Sequence, residues 1–404
     1  MKVIPTKDAV GMVLCHDITQ IIRGVTKDAA FRKGHIVTEE DIPVLLSLGK
    51  DRLYVWENDE NTLHENEAAE ILCSLCRGEN VGRGEVKEGK ISLHAECGGL
   101  LKVNHPGMRA VNRFGEMMIA SRHGNFAVKK GDPLAGTRII PLVIAKEKME
   151  KARAACLEAS GGEKILNVKP FRHKKVGILT TGNEVFYGRI RDTFTPVILE
   201  KFAEYDAEII AHEICGDDDR METAAILRMA AAGADIIVCT GGMSVDPDDR
   251  TPLAIRNTGA EIISYGAPVL PGAMFLLSYL RQAPQPARTD AVPEPSAGTG
   301  AGHEPSVGTD AGHEPSAGTD AGHEPSAGTE ADHEPSACRQ EERTITIMGL
   351  PGCVMYAKRT IFDLILPRVM ADDPVTAEEL ADLGEGGLCL NCPVCTFPNC
   401  AFGK

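Results

Sequence analysis

Hydrophobic and polar positions are most clearly ordered between residues 171 and 372. Val176–Leu179 and Ile236–Cys239 are short, unbroken apolar runs, the pattern of strands buried on both faces. Glu208–Ile214, a run at Ile262 and Thr344–Met348 read as further strands. Helical stretches lie between them. One opens at Thr195-Pro196 with Val197, Phe202 and Ala203 on a shared face, and one covers Met221–Ala232 and stops at Gly233. A third runs from Pro252 to Asn257, with Thr251 read as its N-cap. Pro268–Leu280 reads as extended, and Gly349–Cys353 as a glycine turn leading into a helix over Val354–Leu366. Strands alternating with helices of this length predict an α/β fold, a three-layer and mostly parallel sheet covered on both faces.

The remainder is less periodic. Residues 1–60 read as an α+β segment, with a helix over Ile42–Leu48 introduced by Thr38–Asp41 and closed by Gly49, then a strand over Leu53–Trp56. Residues 61–170 read as a small β-rich domain. It has helices at Glu65–Arg77 and Lys146–Ser160 and strands at Met117–Ser121 and Thr137–Ile144. Residues 171–281 and 342–372 form the α/β domain. Residues 282–341 interrupt it with a decapeptide, Glu-Pro-Ser-Ala-Gly-Thr-Asp-Ala-Gly-His, repeated between Glu294 and His333. That composition buries too little apolar surface to offset the entropy of ordering, so a disordered insertion in a β-hairpin is expected. Residues 373–404 form a cysteine-rich tail.

Composition narrows the function. A net charge of −15 argues against nucleic-acid binding, which draws on basic surface. No apolar run is long enough to span a membrane, and Met1–Asp8 lacks the apolar core of a signal peptide. A cytoplasmic protein is expected, whose 13 cysteines are reduced thiols or metal ligands rather than disulfides.

Candidate chemistry gathers at two tight loops. Thr181-Gly182-Asn183-Glu184 follows the strand at Val176. Thr240-Gly241-Gly242-Met243-Ser244-Val245-Asp246-Pro247-Asp248-Asp249 follows the strand at Ile236. Glycine turns of this kind offer backbone N–H groups to an anion, and Glu184, Asp249 and Asp246 are hard oxygen ligands suited to magnesium. Asp217 and Asp218 read as helix caps. In the tail Cys389, Cys392, Cys395 and Cys400 are separated by two, two and four residues, a set suited to zinc or an iron–sulfur cluster. Cys73 and Cys76 make a lone CxxC on a helix. His16, Asp17, Lys33 and His35 read as turn polars, and the repeat's His303, His313, His323 and His333 as weak metal donors at most.

Taken in order, these motifs resemble the molybdopterin-binding fold of molybdopterin molybdenumtransferase and the carboxyl-terminal domain of gephyrin. They are Thr181–Glu184, Arg191-Asp192-Thr193, Gly216-Asp217-Asp218, Thr240–Asp249, Leu270-Pro271-Gly272 and Gly349-Leu350-Pro351-Gly352. The resemblance implies a molybdopterin site at Thr181, Gly182, Asn183, Gly241, Gly242, Ser244, Pro271, Gly272, Pro351 and Gly352. It implies Asp249, Asp246 and Glu184 as catalytic acids, with Glu184 and Asp249 holding Mg2+ and molybdate as co-substrate. Two main readings follow: an enzyme inserting molybdate into (adenylylated) molybdopterin, or a non-catalytic carrier or sensor of the cofactor. A nucleotide-cleaving hydrolase on the same fold is a third. A molybdoenzyme or a cofactor-synthesis protein is the expected macromolecular partner, and a homodimer is expected by the same resemblance.

Overall fold

A computed structural model describes residues 2–22, 26–55, 60–282 and 343–404. The decapeptide repeat, its histidines and Trp56 lie outside the described residues. The chain divides into two compact units, Met1–Leu280 with Thr344–Lys404, and Arg281–Arg343. Of the second unit only strand ends are described.

In the first unit, Leu14, Ile18, Leu45 and Leu53 form a small core with Ile4, Phe31, Val37 and Val55. The helix Asp41–Ser47 ends as its glycine suggests: Gly49 takes a φ of +71° and returns its N–H to the Leu46 carbonyl. Asp41 accepts hydrogen bonds from the Thr38 backbone N–H and hydroxyl, the expected lead-in. A second core joins the helices Glu65–Cys76 and Lys146–Ala159 to short antiparallel strands including Met117–Ser121. The strand expected over Thr137–Ile144 is two, Pro133–Ile139 and Val143–Ala145, broken around Pro141 because proline cannot donate to a ladder. A helix over His105–Asn112 was not foreseen. It sits among glycines, yet Asn104 caps it by accepting from the Gly107 N–H.

The α/β domain is built on six strands: β1 (Lys174–Thr181), β2 (Ala207–Cys215), β3 (Ile236–Thr240), β4 (Glu261–Tyr265), β5 (Leu276–Gln282) and β6 (Arg343–Leu350). They lie in the order β2-β1-β3-β6-β5-β4. β1 pairs in parallel with β2 and β3, and β3 with β6, while β4 and β5 are antiparallel. The period-two alternation of the strands sorts their side chains between two cores. On one face Val176, Ile178, Ile236, Val238 and Met348 pack with α2 (Phe194–Phe202) and α5 (Ile361–Met370). On the other Leu179, Ile237, Cys239, Ile345 and Ile347 pack with α3 (Asp219–Ala231) and α4 (Thr251–Asn257). The sheet is therefore the middle of three layers, as the unbroken apolar runs require. α1 (Asn183–Phe186) is a single turn leaving β1.

Several local expectations are corrected. The face α2 buries is Ile198 and Phe202; Ala203 is exposed. Thr251 is not the N-cap of α4 but lies in its first turn, its hydroxyl donated to the Gly241 carbonyl. The segment after Pro351 makes only a 3-10 turn, Gly352–Met355, and α5 starts at Ile361. There Thr360 supplies the cap and Asp363 completes a capping box. Only the later half of Pro268–Leu280 is a strand; Pro268–Met274 is an irregular loop at the sheet edge.

Candidate functional site

Because β1, β3 and β6 run parallel, the loops that follow them, after Thr181, Thr240 and Leu350, emerge at one end of the sheet. β1 leads to β2 on one side and β3 lies on the other, so the first two loops flank the point where the strand order reverses. Ligands bind at such a point in open α/β sheets. Leu276 lies against Gly349 and Ser278 hydrogen-bonds to the Ile347 carbonyl, so the start of β5, and the loop before it, reaches the same end.

The two glycine loops touch. The Thr181 hydroxyl lies 3.2 Å from the Thr240 carbonyl and 3.3 Å from the Thr251 hydroxyl. Gly241 and Gly242 have φ of +88° and +55°. A Cβ at Gly241 would collide with the Thr181 carbonyl, and one at Gly242 with the Thr251 hydroxyl. Glycine is thus required twice over, by backbone conformation and by closeness. Gly349 works differently: a side chain there would collide with Met243, whose carbonyl accepts from the Tyr265 hydroxyl.

The acids stand around this junction. Asp249 accepts the Asp246 N–H at 3.0 Å, which closes the acidic loop on itself. Asp246 and Glu184 are exposed. Asp217 is the residue sequence reasoning missed. Asp218, not Asp217, caps α3, accepting from the Arg220 and Met221 N–H groups. Asp217 instead accepts the Asn183 N–H at 3.0 Å, tying the first glycine loop to the end of β2. Burial pushes its carboxyl up, and the negative charges of Glu184, Asp248 and Asp249 push it further against the pull of the Asn183 N–H. Asp217 therefore stands within the field of acids from the two glycine loops. Gly216-Asp217-Asp218 is one of the motifs that carry the resemblance, but a run of three aspartates before a helix hides which one is the cap.

Beside the acids opens a cleft of about 600 Å3. One wall is Gly241, Gly242, Ser244 and Asp249, the second Leu270, Pro271 and Gly272, and the third Pro351, Gly352 and Tyr356. Three motifs separated by some thirty to eighty positions in the sequence thus meet in one place. Gly272, at φ +133°, is again a close approach, where a side chain would strike Ile361 at the start of α5. Of the expected pterin residues, Thr181, Gly182 and Asn183 do not line the cleft. Thr181 is buried beneath it and the other two belong to the Asp217 junction.

Other candidates resolve into structure. Cys73 and Cys76 are core residues whose thiols burial pushes up, the reverse of a reactive pair. His35 bonds to Asp41, and Asp17 accepts the Lys33 N–H. Among the described residues no three His, Cys, Asp or Glu side chains stand as a ready metal-binding group, so neither Glu184 with Asp249 and Asp246 nor the four tail cysteines form a finished cage. No described helix is long and apolar enough to cross a membrane.

Residues 177–371 match a family described as a probable molybdopterin binding domain, and residues 3–57 match a domain of unknown function. CinA-like proteins of Mycobacterium sp. (strain JLS) and Mycobacterium tuberculosis are 37% and 36% identical over 90 residues, 22% of this chain. The chain spans 21% of the length of these curated relatives. Among solved structures, the molybdopterin biosynthesis enzyme MoaB of Thermus thermophilus is 37% identical, over 21% of this chain and 54% of its own, with a TM-score of 0.20. The tungsten cofactor synthesizing protein MoaB of Pyrococcus furiosus is 14% identical over 50% of this chain and 89% of its own, with a TM-score of 0.28.

Proposed function

Residues 177–371 belong to the molybdopterin-binding domain family, and from that premise we propose that the three-walled cleft binds molybdopterin and that the chain inserts molybdate into it late in molybdenum cofactor synthesis. The observation that carries the reading is the meeting of Gly241–Ser244, Leu270–Gly272 and Pro351–Gly352 around a space of about 600 Å3, within the range of small-molecule and cofactor sites. The glycines let a phosphate and a dithiolene approach the backbone closely. Asp249 belongs to the first wall of that space, while Asp217 and Glu184 lie to one side of it.

This division suits the chemistry. Magnesium is commonly held by one or two carboxylates together with substrate phosphate rather than by a full protein cage, and the acids here could supply that number. Asp249, in the cleft wall, is the residue placed to pass a proton to an oxo group leaving as water. Asp217, whose carboxyl burial raises, is a further acid close to the same charges.

The test is to incubate the purified chain with molybdopterin, Mg2+ and molybdate and to follow both pterin binding and molybdenum incorporation. The enzyme reading expects both, with Asp249→Asn keeping binding and slowing incorporation on the order of 100-fold. Binding with no incorporation selects the carrier reading, which the engagement of Asp249 with its own loop favours. No binding removes the cleft assignment.

A further inference from the structure

The tail is not a loose end. Its residues from Gly386 onward are seated on the α/β domain by main-chain and aromatic contacts. Gly387 accepts the Leu270 N–H and Cys389 donates to the Leu270 carbonyl, both at 2.8 Å. Phe402 is buried in the core beneath α5, and Phe397 packs between Phe402 and Phe126 with ring centroids 6.1 and 5.8 Å away. The Arg359 guanidinium lies 5.0 Å above the Phe397 ring. This small, mostly irregular segment of chain is thereby pinned on both sides of its cysteine run.

All four tail cysteines line a single small cavity of about 70 Å3, together with Lys358 and Arg359. Cys389 and Cys400 are half-buried and held by the contacts just named, while Cys392 and Cys395 are exposed on the turn between them. The Lys358 ammonium donates to the Cys392 and Pro393 carbonyls, at 3.2 and 2.7 Å, so a cation already braces that turn. Four thiolates around one metal centre leave a net negative charge, which the Lys358 ammonium partly offsets; Arg359 at the same cavity is shared with Asp363 at 2.8 Å. The core cysteines Cys73, Cys76, Cys156 and Cys239 differ in being buried, and burial pushes their thiols up.

We propose that Cys389, Cys392, Cys395 and Cys400 ligate a [4Fe–4S] cluster. Three cysteines at successive two-residue gaps can give one cubane three of its ligands from a single turn, and Cys400, four residues further on and lining the same cavity, is the fourth thiolate at hand. Structural zinc usually draws its ligands as two separated pairs. The half-buried pair is the fixed side of the site, and the exposed turn around Cys392 and Cys395 closes it when metal enters. The proposal rests on the tail alone and does not depend on what the cleft binds.

The experiment uses the full chain, purified without oxygen and reconstituted with ferric iron, sulfide and a thiol reductant that supplies the ferrous share. About four iron and four acid-labile sulfide per chain are expected, with a broad visible absorption that bleaches on reduction. Cys392→Ser/Cys395→Ser should lose at least nine-tenths of the iron and the absorption while its thermal melt in the absence of metal stays that of the parent, since both side chains are exposed. Cys97→Ser, away from the tail, should keep the cluster. One zinc per chain with no iron, no metal at all, or iron retained by the double variant would each overturn the assignment.

Discussion

Two of the buried carboxylates of the first unit, Asp373 and Glu222, have opposite surroundings. Asp373 follows α5 and is about 6% exposed; Glu222, in α3, is fully buried. Asp373 receives the Lys169 ammonium at 2.7 Å, the Lys102 ammonium at 2.9 Å and the Arg368 guanidinium at 2.6 Å. Burial alone would raise its carboxyl, but these three cations outweigh burial and hold it at about 2. Glu222 has no such company. Neither of its oxygens has a hydrogen-bond partner. The Thr251 hydroxyl beside it is already donated to Gly241, and Asp217, Asp218 and Asp219 add like charge. Burial, with those acids, pushes it up to about 7. The first acid is a fastening: it ties strands near Lys102 and Lys169 to the end of α5. The second is a strain kept directly behind the glycine loop.

The contrast can be broken most forcefully at Asp373. Asp373→Asn leaves three cations facing an uncharged group and should cost about 3 kcal/mol, read as a lowered denaturation midpoint at pH 7. The sign against pH follows from the depressed carboxyl. The parent's Asp373 contribution is complete above pH 3.8 and is lost as pH falls through about 2, while the variant should show no such loss.

Glu222→Gln should act the other way and by a similar or smaller amount. With a carboxyl raised from 4.5 to about 7, the parent is favoured below pH 4.5 and loses that advantage as pH rises to 7. A shift of that size corresponds to about 3 kcal/mol. The variant should match the parent at pH 4 and exceed it at pH 8. Equal stabilities at pH 8 would mean the buried acid carries no penalty.

Thr251→Val is the finest probe. It removes the hydroxyl bonded to Gly241 and should cost about 1 kcal/mol. Because that hydroxyl is donated to Gly241 and not to Glu222, the pH dependence set by Glu222 should stay that of the parent. A titration moved upward in this variant would show that Thr251 also serves Glu222.

Much of this domain could be read from the sequence, because the governing forces are local and repetitive. A strand buried on both sides must be apolar without a break, and β1 and β3 are. A chain that approaches another within van der Waals range must be glycine, and Gly241, Gly242 and Gly272 are. Pairwise burial is not written that way. Glu222 sits in a helix whose polar residues read as solvent-facing, and nothing in Arg-Met-Glu-Thr says that α4 covers it. The helix His105–Asn112 stayed hidden because Pro106 and Gly107 read as breakers. Their neighbours show otherwise: proline suits the first turn, and a side chain at Gly107 would press on Ser160. The start of α5 at Ile361 depends on Thr360 and Asp363 outcompeting an apolar stretch seven residues earlier.

One bridge described above bears on how this protein should be handled. Leu270, in the second wall of the cleft, exchanges both its amide and its carbonyl with Gly387 and Cys389, although the family match ends at residue 371. A chain trimmed to the family boundary would hand those two groups to water, uncover Phe126 and release the wall they steady. The smallest piece fit for ligand titrations therefore runs to Lys404, and a negative result from a shorter one would report on the cut rather than on the cleft.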